Sequence, residues 1–130
     1  MNGLARTSYP LRHRLFRALW IVTWALMAAW TPAPLHHWRC SLLRIFGSKV
    51  GHGVRIHGSA KIWYPPNLVL DDEAVIGWNT VLYCQARIRI GHRAVVSQDV
   101  HLLAATHDID CPEFSIIARP IDIDADAWIA

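Results

Sequence analysis

From Val50 onward an aliphatic residue returns at every sixth position, first as Val50, Ile56 and Ile62. The count slips by two at Leu68 and resumes at Leu70, Ile76 and Leu82; it slips again at Ile88 and resumes at Ile90, Val96 and Leu102. After a gap it comes back at Ile121, Ile123 and Ile129. Three hexads and one slip make a longer period of 20, marked by Val50, Leu70 and Ile90. Plain alternation has a period of two and would not single out each sixth residue. The pattern therefore reads as an internal repeat, not as a set of ordinary amphipathic strands.

Four residues after most of these aliphatics stands a small or β-branched residue: Val54, Ala60, Ala74, Thr80, Ala86, Ala94, Val100, Thr106 or Ala127. Directly after the aliphatic that opens each coil stands Gly51, Asp71, Gly91 or Asp124. Gly and Asp suit turns, because they tolerate positive φ or bond their own backbone. Each hexad thus predicts a short strand and a corner, with one large and one small side chain filling a narrow interior. Three corners close a triangular coil. Coils stack as parallel strands, since no single coil can bury its apolar face alone. The two-residue slips are expected at corners, as small outward bulges.

Upstream of the coils the pattern changes. Residues 15–30 (LFRALWIVTWALMAAW) predict a helix stopped by Pro32 and Pro34, and a second helix-like segment, Leu35–Phe46, leads into the repeat. The expected organisation is a basic, Trp-rich helical cap over 1–49 and a coil domain over 50–130, within the length of one domain. Charge sharpens this division. The net charge of +3 conceals seven Arg or Lys and no acid in residues 1–49, against six basic and all ten acidic residues, a net of −4, in the rest. Five of the seven Trp lie in or beside the first part: Trp20, Trp24, Trp30, Trp38 and Trp63. The apolar run Ala18–Trp30, broken only by Thr23, is 13 residues long; spanning a bilayer takes about 20. Three readings of this segment are open: a helical cap on the open end of the coil stack, a surface lying on an anionic membrane face through residues 11–46, and a cleaved signal. The first two are compatible.

Cys40, Cys84 and Cys111 are odd in number and widely spaced, with no CxxC or zinc pattern, as expected of reduced thiols in a cytosolic chain. The basic residues are interleaved with a continuous apolar run. That favours lipid or protein partners over phosphate backbones, and no nucleic-acid partner is expected.

Hexads of the form [I/L/V]-[G/D]-x-x-[A/S/T/V]-x resemble the hexapeptide-repeat acyltransferases, and within them the colanic acid biosynthesis acetyltransferases, a branch related to the galactoside and maltose O-acetyltransferases. The segments that carry the resemblance are RIFGSKVGHGVRI (44–56), KIWYPPNLVLDDEAVIG (61–77), IRIGHRAVVSQDVHLLAATHD (88–108) and RPIDIDADAWIA (119–130). It runs from about Leu11 to the last residue. It implies a left-handed parallel β-helix with a helical N-terminal segment, a handedness that the ordinary right-handed crossover preference would not supply. It also implies an O-acetyltransferase moving acetyl from acetyl-CoA to a sugar hydroxyl in polysaccharide or lipid-linked glycan assembly. The protein would act as a homotrimer in the cytoplasm, peripheral to the inner face of the cell membrane.

His107 is the chemical candidate. It ends the ninth hexad, where the repeat breaks, and residues 108–120 (DIDCPEFSIIARP) are too long for a corner before the repeat returns at Ile121. A loop leaving a rigid coil beside a His is a candidate active-site wall. In the acetyltransferase relatives the His of this Thr-His-x motif is the general base that takes the acceptor hydroxyl's proton. Imidazole suits that task, since it titrates near neutral pH and can return the proton to the departing thiolate. Backbone N–H groups along a coil edge would hold the oxyanion. Asp108 or Asp99 is the candidate to orient the imidazole. In the galactoside branch an Asn-rich hexad one coil earlier helps bind the sugar. Its counterpart here is Ile76–Val81, where Gly77 departs from one Asn position and Asn79 matches a second. Trp78 could stack on a sugar ring and Tyr83 could donate to a hydroxyl; each could equally be a solvent-facing coil residue.

Two alternatives complete the picture. The γ-class carbonic anhydrases use the same coils to hold zinc on three His. Here His52 and His92 are equivalent corner positions two coils apart, while His101 and His107 fall on different faces, so convergence on one metal is not expected. In this family the D-x-x-A-W-I motif opens further coils that carry much of the CoA surface, and the sequence ends at Ala130, inside that hexad. The expectation is thus a C-terminally truncated acetyltransferase, with a catalytically silent β-helix remnant or interaction module as the rival.

Overall fold

The computed structural model describes residues 9–130; of the basic residues counted above, Arg6 lies outside them. Two helices come first, α1 (Leu11–Met27) and α2 (His36–Ile45). Pro10, which has no N–H to leave unpaired, precedes α1, and Pro32 and Pro34 prevent its continuation. The first coil is β1 (Lys49–Val50), β2 (Arg55–Ile56) and β3 (Lys61–Ile62); the second is β4 (Leu68–Leu70), β5 (Val75–Ile76) and β6 (Val81–Tyr83). The third is β7 (Ile88–Ile90), β8 (Val95–Val96) and β9 (His101–Leu103). A hairpin, β10 (Ala105–His107) and β11 (Ile116–Ala118), interrupts before β12 (Ile121–Ile123) and β13 (Trp128–Ile129) begin a fourth coil.

The strands form three parallel faces, β1-β4-β7-β12, β2-β5-β8-β13 and β3-β6-β9. This is the left-handed parallel β-helix expected. The register is the 20-residue period itself, with Val50 opposite Leu70, Ile56 opposite Ile76 and Ile62 opposite Leu82. Like residues therefore stack in columns along the interior: Ile56, Ile76 and Val96 are all fully buried, as are Leu70 and Ile90. Burying each such side chain is worth about 1.5–3 kcal/mol. Between the third and fourth coils Ile88 pairs with Ile121, an offset of 33 residues instead of 20, because the hairpin excursion adds 13.

Three local expectations are corrected. The residues at the two-residue slips do not themselves point outward: Leu68 and Ile88 are fully buried, each opening a three-residue strand of the first face. On the third face Cys84 and Ala104 also point inward, whereas Ala86 is half-buried and Thr106 exposed, because the chain turns its corner two residues later than the hexad count implies. Positive φ does not fall at Gly51, Asp71, Gly91 and Asp124 but two residues on, at Gly53, Glu73, Arg93 and Asp126.

Strands β1, β2 and β3 are the open edges of their sheets, and bare strand edges invite pairing with other chains. The helices seal this edge with side-chain donors. Arg44 donates to the carbonyls of Val50 and Gly51 at 3.1 and 2.8 Å, Cys40 to Val54 at 3.4 Å, and Arg39 to Ile56. Trp24 donates to Gly58 and Ala60 at 2.9 and 3.0 Å, Trp20 to Ile62 at 2.7 Å, and Arg17 to Trp63 at 2.8 Å. The composition of this segment follows from that task. Carbonyls need donors; Arg and Trp side chains only donate, while a carboxylate only accepts. Arg39 is fully buried and held by the carbonyls of Pro32, Ala33 and Ile56 and by the Thr31 hydroxyl, without a carboxylate partner among the described residues. Gly58 marks the closest approach: a Cβ there would lie 2.3 Å from the carbonyl oxygen of Ala28 at the end of α1. The outward side of α1 stays apolar and exposed, through Leu11, Leu15, Leu19, Val22 and Leu26.

Candidate active site

The third coil ends when Ala104 turns inward and the backbone leaves the stack. The excursion expected as an irregular loop is an antiparallel hairpin, with Ala105, Thr106 and His107 opposite Ala118, Ile117 and Ile116. Its tip is tied by backbone bonds from Asp108 to Ser115 at 2.8 Å and from Phe114 to Cys111 at 2.9 Å. The Asp108 carboxylate accepts from the N–H of Asp110 at 3.0 Å, an Asx turn. His107 thus stands on a paired strand, rooted in the rigid coil at one end and closed by a short tip at the other.

The imidazole of His107 touches Phe114 twice. Its Nδ1 is 2.9 Å from the Phe114 carbonyl oxygen, and the two rings stack with centroids 4.4 Å apart and planes 11° from parallel. A carbonyl can only accept, so this contact selects, in the neutral ring, the tautomer with its proton on Nδ1 and the lone pair on Nε2. Among the described residues no carboxylate is bonded to the ring. Asp108 serves the tip, and Asp99 is a corner residue with φ of +62°, whose N–H meets the Trp78 carbonyl at 3.0 Å.

His107 lines a small pocket of about 70 Å³ with Tyr83, Gln85, Ala105, Thr106 and Ile116. Gln85 donates through Nε2 to the Tyr83 hydroxyl at 2.6 Å, and its Oε1 is buried without a partner. Tyr83 also ends a groove of about 690 Å³ between α1 and the third face, where Ile21, Ala25 and Trp63 supply apolar walls and Lys61 and Asn79 polar ones. His107, Tyr83 and, through the groove, Asn79 are therefore brought into one region. Asn79 has φ of +57°, a conformation its residue type tolerates, and its N–H is held by the Ser59 hydroxyl at 2.9 Å. Trp78 lines neither cavity; it is half exposed at a corner, edge-on to His57 at 5.5 Å. Another groove, of about 750 Å³, lies among Arg44, Lys49, Asp72 and Arg89 on the first face and contains none of these residues. Gln85 and Phe114 are the two site residues that sequence reasoning did not single out. Gln85 gave no signal, and Phe114 was visible only as an aromatic in a polar loop.

Burial pushes the thiols of Cys40 and Cys84 above the ordinary cysteine range. All three cysteines are free. Among the described residues no group of three or more His, Cys, Asp or Glu is placed to hold a metal ion. No described helix is long and apolar enough to cross a membrane.

A parallel β-helix of 20-residue coils, broken by a His-bearing hairpin beside a groove, is the architecture expected of the hexapeptide-repeat acyltransferases. Comparison with known proteins narrows it. The chain is 42% identical over 134 aligned residues to the Escherichia coli (strain K12) protein "Putative colanic acid biosynthesis acetyltransferase WcaF", an alignment covering all of this chain and 74% of that protein. The Shigella flexneri protein of the same name matches to the same extent. The chain belongs to this acetyltransferase family. No family model matches it.

Proposed function

We propose that the protein transfers acetyl from acetyl-CoA to a sugar hydroxyl during polysaccharide assembly, with His107 as general base. The observation that carries this reading is an imidazole that lines the Tyr83 pocket and whose Nδ1 is engaged by the Phe114 carbonyl, which leaves Nε2 as the ring's available base. The acceptor hydroxyl gives its proton to Nε2 as its oxygen attacks the thioester carbonyl. The C–S bond then breaks, the sulfur takes the proton from the imidazolium, and the products are an acetyl ester and free CoA. No acyl-enzyme forms.

The acceptor reaches His107 along the groove under α1, with Tyr83 at its inner end and Asn79 on its wall; Trp78 is placed to touch only a longer glycan. The apolar walls and Lys61 suit a lipid-linked glycan carrying negative charge. The relatives' name points to colanic acid as the polysaccharide. A homotrimer would complete the CoA site. The exposed apolar side of α1, flanked by Arg12 and Arg14 with no acid in the segment, rests on the anionic inner face of the cell membrane.

His107→Gln is expected to lower acceptor-dependent CoA release by roughly 10²–10⁴-fold while leaving the circular dichroism of the coils unchanged. Retained turnover would remove the base assignment. Flotation with phosphatidylserine vesicles at low salt tests the membrane contact, and absence of binding there refutes it.

A further inference from the structure

We infer that Phe114 is a positioning residue for His107, fixing both the tautomer and the plane of the imidazole; this rests on the reading of His107 as the general base. The two contacts act on different freedoms of the ring. The carbonyl, 2.9 Å from Nδ1, decides which nitrogen carries the proton. The stacked ring, 4.4 Å away and 11° from parallel, stops the imidazole from rotating out of line with that carbonyl.

Two observations separate this role from ordinary packing. The Phe114 side chain is 54% exposed, so it is not held in place as part of a core. Its φ is +53°, in the left-handed region that favours glycine and that a bulky residue occupies only when its surroundings enforce it. A polar or glycine residue would serve a hairpin tip with less strain. In this conformation one residue presents both its carbonyl and its ring to His107. The bonds from Phe114 N–H to Cys111 and from Asp108 N–H to Ser115, at 2.9 and 2.8 Å, hold the tip that keeps it there. Of the carboxylates able to orient the imidazole by sequence, that of Asp108 accepts from the Asp110 N–H, and neither Asp108 nor Asp99 is bonded to the His107 ring. An oriented base with one defined tautomer is what proton abstraction by Nε2 requires.

The test uses the full chain. Phe114→Gly keeps the carbonyl and relieves the backbone, so the coils are expected to fold as before; only the stacking ring is lost. Nitrogen NMR of the labelled His107 ring should show the Nδ1–H tautomer in the wild type and a mixture of tautomers in Phe114→Gly. The same variant should lose roughly 10- to 100-fold in kcat, a part of what a general base supplies, while KM for acetyl-CoA moves by less than about twofold. Phe114→Tyr, which restores the ring, should restore both readouts. A Phe114→Gly protein with the wild-type tautomer and the wild-type kcat overturns the inference. His107→Gln is assayed alongside: if it retains turnover, the base reading fails, whereas the tautomer measurement still judges the Phe114 contact on its own.

Discussion

Replacing the indole N–H of Trp24 without changing its shape isolates what one edge-sealing donor contributes. Substituting benzothienylalanine puts sulfur where the N–H was and leaves the ring system in place. Trp24 is 7% exposed, and its N–H is shared by the Gly58 and Ala60 carbonyls at 2.9 and 3.0 Å. Both carbonyls belong to buried residues under α1, so the variant should lose the cost of leaving buried acceptors unpaired, about 1–3 kcal/mol. For a chain of 130 residues each kcal/mol moves the melting midpoint by roughly 3–5 °C. A loss near the middle of the range therefore lowers Tm by roughly 6–10 °C. The control is the same substitution at Trp30, which is 71% exposed, lies in the turn after α1 and donates only to Leu26 in the last turn of that helix; its effect should stay under about 0.5 kcal/mol. Urea unfolding followed by circular dichroism measures both, with the m-value as a check that the transition is unchanged. Equal losses at Trp24 and Trp30 would refute the claim that the indoles seal the coil edge.

Gly58→Ala should destabilise by roughly 1–3 kcal/mol, since the new Cβ meets the Ala28 carbonyl at 2.3 Å and the end of α1 must lift; urea midpoints and faster proteolysis between the helices would show it, and an unchanged midpoint would contradict it. Burial holds His13, His36 and His57 below the ordinary imidazole range, with Arg17 or Arg39 adding repulsion. The unfolded chain therefore binds their protons first, so stability should be flat above about pH 6.5 and fall as the pH drops through the folded values. Urea midpoints from pH 7.5 to 5 would show this fall, and His57→Gln should make it shallower. A thiol reagent at pH 8 should titrate Cys111 promptly and Cys40 and Cys84 only after unfolding, because the last two are buried and their thiols pushed up; three prompt thiols would be the contrary result.

The coil architecture was legible because stacked columns require the same residue class at the same spacing, and Val50, Leu70 and Ile90 record that directly. The slips were harder. Two extra residues can leave a coil at a corner or lengthen a strand, and Leu68 and Ile88 carry the same apolar character in either case; only the stacking of neighbouring coils decides. The hairpin was hidden for a related reason. Ile116, Ile117 and Ala118 form a strand only because Ala105–His107 returns beside them, a pairing without any period to announce it. The absence of acids before Val50 was visible, but its cause was not, since a backbone carbonyl waiting for a donor leaves no mark on its own residue. His107 stood out by where the repeat broke. Its partner did not, because the group that binds Nδ1 is a backbone atom.

The side chains of α1 and α2 that seal the first coil recognise backbone carbonyls, and every coil offers carbonyls at the same places. Only the first coil, however, has a glycine at the close approach to Ala28, where the next two carry Trp78 and Gln98, so the helical base belongs beneath that coil and the others stack above it. Whole 20-residue units could be gained or lost above it without a single sealing contact being redesigned. Each unit changes the height of the hairpin over the base by one strand spacing, about 4.8 Å. Coil number is in this sense a ruler, setting how far the His107 imidazole stands from whatever surface the base rests on.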